Sequence, residues 1–154
     1  MKKWILVVFV SLLAILIVGC SSNNNVSNLT PEEAIKQVLG TPQDKDKDSG
    51  VTKVEKDGDE YVVTYNFFPV GVSDFNSELG VKLTQKIKQL YEDNKQIDKL
   101  QFVCYGPYED DYGNITWKPV VSFKVSRAIF NKINWDNFSD TNLIKIAEDV
   151  QQFR

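Results

Sequence analysis

No histidine occurs anywhere in the 154 residues. That absence removes the Ser-His-Asp and Cys-His arrangements, His-ligated zinc sites, and the side chain most often used to shuttle protons near neutrality. Cysteine is almost as scarce, with only Cys20 and Cys104. Cys104 stands in the apolar run Leu100-Gln101-Phe102-Val103-Cys104-Tyr105, where a thiol serves as a small hydrophobe. There is no glycine-rich phosphate loop and no internal repeat. A basic excess is also missing: eighteen Lys and Arg face twenty-one Asp and Glu, a net charge of −3. Such a chain lacks the electrostatic footprint that nucleic acid demands. No complete catalytic set and no cofactor motif survive these absences, so a non-enzymatic module that binds a protein or envelope component is expected, with a small-ligand or calcium-binding protein as the alternative.

What is present starts at the N-terminus. Lys2 and Lys3 precede an apolar run from Trp4 to Val18, broken only by Ser11 and followed by Gly19-Cys20. A positive start, a short apolar region and a small residue at the cleavage point describe a secretory signal. The run is shorter than the ~20 apolar residues a spanning helix needs. The tetrapeptide Ile17-Val18-Gly19-Cys20 resembles the lipobox of bacterial lipoproteins. The resemblance implies diacylglycerol transfer to the Cys20 thiol, cleavage before it, and a lipid anchor on the outer face of the cytoplasmic membrane, or the periplasmic side in a Gram-negative cell. Two acyl chains suffice for stable anchoring.

Residues 1–19 are therefore expected as signal peptide, 20–29 as lipidated cysteine and flexible tether, and 30–154 as one domain. Cleavage leaves 135 residues, enough for one core, with sixteen basic and twenty-one acidic side chains and a net charge of −5. With Cys20 lipidated, Cys104 has no cysteine left to pair with. The layout is similar to that of small surface lipoproteins of Gram-positive bacteria, some of which, carried by mobile elements, block invasion or mating machinery. That likeness implies a partner among envelope or surface proteins.

Within the domain, Thr30-Pro31-Glu32-Glu33 spells a capping box with proline at the first helical position, opening a helix to about Leu39 that stops at Gly40. Val51–Lys56 and Asp59–Phe68 read as strands joined by an Asp57-Gly58 turn, pairing Val54 with Tyr61 and Thr52 with Val63. Tyr61, Val63, Tyr65 and Phe67 share one face by alternation. Phe75, Leu79, Leu83, Ile87, Leu90 and Tyr91 form the stripe of a second helix over 75–94, which Gly80 weakens. Strands over 99–105 and 115–126 follow, with Pro119 requiring an edge or a bulge. Ser126 caps a short helix to Ile133. A final helix begins near Asp140 with Leu143, Ile146, Ala147 and Val150 on one face. The expected class is α+β: a four-stranded antiparallel sheet from two β-hairpins, with amphipathic helices on one face.

Two clusters invite chemistry. Asp44, Asp46, Asp48 and Glu55 occupy positions 1, 3, 5 and 12 of a calcium-loop pattern, offering the oxygen ligands Ca²⁺ takes. The pattern departs from the type at position 6, where Ser49 replaces glycine, and the following segment reads as strand. A solvated, charge-alternating linker is the competing reading. The second cluster is the loop before Trp117, where Glu109, Asp110 and Asp111 stand among Tyr105, Tyr108 and Tyr112. Rigid aromatics beside acids make a contact surface for a basic partner, or else a solubilising tip with rings closing the sheet.

Overall fold

Thr30 opens the first helix by the box its sequence spells. Its Oγ1 accepts the Glu33 backbone N–H at 3.4 Å, and the Glu33 carboxylate accepts the Thr30 N–H at 3.0 Å. Helix α1 (Pro31–Leu39) then runs to Gly40, whose φ of 84° needs no Cβ. The computed structural model describes residues 26–44, 48–71 and 74–153; the signal segment, Cys20 and residues 21–25 lie outside them.

The sheet has five strands in the order β1 (Gly50–Asp57), β2 (Glu60–Asn66), β3 (Lys99–Glu109), β4 (Ile115–Ser126) and β5 (Glu148–Gln152). The α+β class holds, but the expectation of four antiparallel strands does not: β2 and β3 are parallel. Between them lies helix α2 (Phe75–Asp93), nineteen residues or about 28 Å long at 1.5 Å per residue. A helix of that length returns the chain to the end where β2 began, so β3 repeats its direction.

Residues 140–152 also differ from expectation. Asp140–Asn142 is a 3₁₀ turn and α4 (Leu143–Ile146) is a single helical turn. The chain extends at Ala147 and pairs with β4 as a fifth strand. Leu143 and Ile144 satisfy the core, whereas Val150 is 40% exposed and a longer helix would bury nothing there. The unpaired backbone of β4 supplies hydrogen-bond partners instead. The helix begun by Ser126 is likewise brief, α3 (Arg127–Phe130), with Ser126 Oγ accepting the Ile129 N–H.

The first hairpin turns one residue later than the Asp57-Gly58 turn implies, which moves each strand partner by two. Asp57 pairs with Glu60 and Val54 with Val63, leaving Gly58-Asp59 as the loop. Gly58 has φ 59° and Asp59 does not share that sign, so glycine stands first, as a type II′ turn requires. A register shift of two keeps Val54 on its expected face, but a bulge between Val51 and Lys53 leaves Thr52 unpaired and exposed and buries Val51 in its place. Pro119 sits where Cys104 pairs with Val121 and Tyr105 with Pro119, so Val120 is the extra residue of a bulge.

One core joins helices and sheet. Tyr61, Val63, Tyr65, Leu100, Phe102, Cys104, Val121, Phe123 and Val125 alternate toward Ile35, Leu79, Leu83, Ile87 and Leu90. Phe102 and Phe123 stack across β3 and β4 at 5.1 Å, an arrangement worth about 1 kcal/mol beyond burial. Burial pushes the Cys104 thiol far above its usual range, which suits packing and not reactivity. Gly80 costs helix propensity but admits the 140–142 turn: a Cβ there would lie 2.5 Å from the Asp140 carbonyl oxygen.

Val26 is 4% exposed within this core, and Asn94 Nδ2 donates to the Leu29 carbonyl. The segment 26–29, expected as tether, therefore belongs to the fold. The chain joins the domain beside the end of α2, level with the β1–β2 hairpin and the start of β3. We call this the proximal end. The opposite, distal end carries the β2–α2 loop and the β3–β4 hairpin, about 35 Å away by the eleven residues of β3 at ~3.3 Å each.

Candidate functional site

The aromatic hairpin divides into a structural and an open part. Asp110 is structural. Its Oδ1 accepts the backbone N–H of Tyr112 (2.9 Å) and Asn114 (2.8 Å), and its Oδ2 accepts Asn114 Nδ2 at 3.0 Å. These bonds, the Asn114 side chain first, hold its carboxyl below the ordinary aspartate range. Gly113, at φ 81°, completes the turn. Asp110 is thus occupied by its own loop, whereas Glu109 and Asp111 are exposed.

Among the rings, Tyr112 is 91% exposed and Tyr108 51%, with Lys118 Nζ 3.4 Å from the Tyr108 ring centroid. Tyr105 is half-buried on β3. Trp117 packs edge-on against Phe68 at 6.4 Å, and its Nε1 is buried without a hydrogen-bond partner. The seven predicted contact residues therefore do lie together, but Asp110 is tied to its own turn and Trp117 packs inward, while Tyr108, Glu109, Asp111 and Tyr112 are exposed.

The structure adds a neighbour that sequence reasoning passed over as a connection. The β2–α2 loop contributes Phe67, Phe68 and Val70, and Val70 is 97% exposed. The Glu78 carboxylate of α2 fastens this loop by accepting the N–H of Val70 (3.1 Å) and Gly71 (3.2 Å). Glycine at 71 permits the close approach, since a Cβ would lie 2.6 Å from Glu78 Oε1. Phe67 meets Phe75 edge-on at 5.2 Å, fixing the loop's floor. A cavity of about 510 Å³ opens beside it, with Phe67, Val70, Val81 and Lys82 on its walls. A second of about 340 Å³, also touching Phe67, Val70 and Lys82, extends toward Ser49. Apolar Phe-Phe-Pro-Val between a strand and a helix was the readable signal, because connecting loops seldom carry so much apolar surface.

The acidic segment is arranged differently. Asp48 Oδ2 accepts the Asp44 N–H at 2.8 Å, and the Asp44 carbonyl accepts the Asp48 N–H at 2.9 Å. Glu55 lies on β1 and pairs with Lys53 at 2.8 Å. Asp46 lies outside the described residues. Among the described residues no group of three or more acids or cysteines is placed to hold a metal, and no helix is long and apolar enough to cross a membrane.

Among the described residues, the large apolar side chains that face solvent are Val70, Val81, Tyr108, Tyr112, Ile115, Val150 and Phe153. All but Val150 belong to the distal half; Phe153 reaches it by bonding its N–H to the Val120 carbonyl. No protein-family model, no curated protein and no solved structure matches the chain.

Proposed function

We propose that this protein is a lipid-anchored, extracytoplasmic binding module, non-enzymatic, that engages another envelope or surface protein through its distal end. The observation that carries this reading is the separation of the two ends: the chain joins the domain at one, and the exposed apolar side chains gather at the other. Lipid on Cys20 would leave six residues between the lipid and Val26, a span of at most about 20 Å by chain length alone. That link is shorter than the domain, so the domain cannot invert to press its distal rim onto the membrane that holds it. The contact surface then faces outward. Glu109 and Asp111 at the rim favour a basic partner surface and speed its approach.

Two measurements test this. Cys20→Ala should release the protein from the membrane or leave an uncleaved precursor; unchanged retention and mature mobility contradict the anchor. Crosslinking in intact cells followed by affinity capture should yield one specific adduct from the wild type. Val70→Ser combined with Tyr112→Ser should lose that adduct while membrane fraction and melting temperature stay the same. An adduct that survives in a well-folded variant removes the distal end from the account.

A further inference from the structure

Among the five strands, β5 alone holds no buried residue. Every position from Glu148 to Gln152 is exposed, whereas each other strand places residues in the interior. The chain is anchored as far as Leu143 and Ile144, which are buried, and turns extended at Ala147 (φ −68°, ψ 157°). Beyond it, Val150 and Phe153 remain 40% and 41% exposed. The strand is therefore held to the domain chiefly by its ladder with β4.

That ladder is itself interrupted. Ser122 pairs with Gln151 and Lys124 with Glu148, so Asp149 and Val150 together face Phe123 as a bulge. Asp149 sits at φ 50°, a left-handed conformation that favours glycine. Its ion pair with Lys124 (3.6 Å) holds little, because the Asp149 side chain is 71% exposed. Lys124 has a closer partner on β2, Glu60 at 2.9 Å, which stays when β5 leaves. The Phe153 N–H donates to the Val120 carbonyl at 2.9 Å. Alternation along the ladder then turns the Ser122 and Gln151 amides into the same seam, and those of Val121 and Phe123 toward β3.

We propose that β5 is a displaceable strap: it opens from Ala147 while the rest of the domain stays folded, and bares the β4 edge to an antiparallel strand of a second protein. A segment that buries few apolar groups opens locally at a fraction of the cost of global unfolding. The uncovered backbone of Val120 and Ser122 is then a template for strand addition, in which main-chain hydrogen bonds supply the affinity. β5 itself shows the kind of strand this edge accepts, since Val150 to Gln152 is extended and carries no charge. The opposite edge is guarded against addition by a bulge at Thr52 and by Lys53, Glu55, Lys56 and Asp57 along β1. The incoming strand rests on the reading of this domain as a protein-binding module; the opening of β5 does not.

Hydrogen exchange of the full chain in detergent, followed amide by amide, tests the opening. The Ser122, Gln151 and Phe153 amides should exchange about a hundredfold faster than those of Phe102 and Phe123, which wait for global unfolding. Asp149→Val puts a branched side chain in the left-handed position and should speed the first group about tenfold more, leaving the second unchanged. An acetylated peptide with the sequence of residues 148–153, at millimolar concentration, should shift the Val120 and Ser122 resonances of a chain ending at Ala147. The full chain should bind it about tenfold more weakly, because its own tethered strap competes. Equal exchange in the two groups, an Asp149→Val effect on both alike, or loss of the cooperative melt in the shortened chain overturns the strap. A folded shortened chain whose resonances the peptide leaves in place overturns strand addition. None of these outcomes bears on the adduct from Val70 and Tyr112, whose absence would overturn the distal contact alone.

Discussion

The proximal and distal ends of this domain treat polar groups in opposite ways. At the proximal end the buried donors of Arg127 and Tyr91 are spent on backbone. Arg127 donates through Nε to the Ile97 carbonyl (3.1 Å) and through its terminal nitrogens to Tyr91 and Asn94 (3.0 Å each), closing the C-terminus of α2. Tyr91, beneath that guanidinium at 5.0 Å, donates to the Val125 carbonyl at 2.6 Å. At the distal end the hydroxyl of Tyr65, Oδ1 of Asn76 and Nε1 of Trp117 are buried without partners. Exposed apolar side chains crowd the same end. A completed polar network stiffens the region that holds it, whereas buried polar atoms without partners cost stability.

The largest expected effect lies in the proximal network. Arg127→Ala strips the carbonyls of the last α2 turn of their donors, for a loss of about 3 kcal/mol. In thermal melts followed by circular dichroism that is a fall of about 10 °C for a domain of this size. A fall of under 2 °C would erase the contrast between the ends.

Next come the two buried tyrosines, whose substitutions should differ in sign. Tyr91→Phe discards a short hydrogen bond and leaves a buried carbonyl unmet, costing about 1–2 kcal/mol. Tyr65→Phe deletes a hydroxyl that is fully buried and unpartnered, so stability should rise by about 1 kcal/mol. Urea titrations of the two variants side by side decide it. A matching loss in Tyr65→Phe would show that the distal hydroxyl is satisfied, and the comparison would weaken at its best-defined point.

How much of this was legible in the residues follows from the range of each signal. The capping box at Thr30, the stripe of α2 and the alternation of β2 are local patterns, and each appears where it was read. Pro119 announced its bulge because a missing N–H has only a few places to go. Strand direction was not legible, since it depends on α2 spanning the sheet, a property of length and docking with no motif of its own. Residues 148–152 read as helix because Leu143, Ile146, Ala147 and Val150 fit a 3.6 period, and only the open edge of β4 overrides that choice. At the site, the hairpin tyrosines were visible as a cluster, yet the spending of Asp110 on its own turn was not. Val70 escaped because exposure depends on what fails to cover a residue.

The smallest stability effect belongs to the outward rings. Tyr108→Ser with Tyr112→Ser removes mostly exposed surface and one cation–π contact, so melting should move by less than about 1 kcal/mol equivalent. Capture of a partner should nevertheless be lost. Exchange of Glu109 and Asp111 for Gln and Asn should chiefly slow association and flatten its salt dependence. A strong destabilisation in the tyrosine pair would make the rings core plugs and move the contact surface elsewhere.

The account rests on contact at the distal end and none at the proximal one, and site-specific photo-crosslinking in intact cells reads that directly. A photoreactive residue is placed in turn at Val70, Tyr112, Asp57 and Lys95, all exposed in the folded domain. The account predicts the same protein adduct from Val70 and Tyr112 and none from Asp57 or Lys95. Adducts from the proximal pair alone, or equally from all four positions, would contradict it.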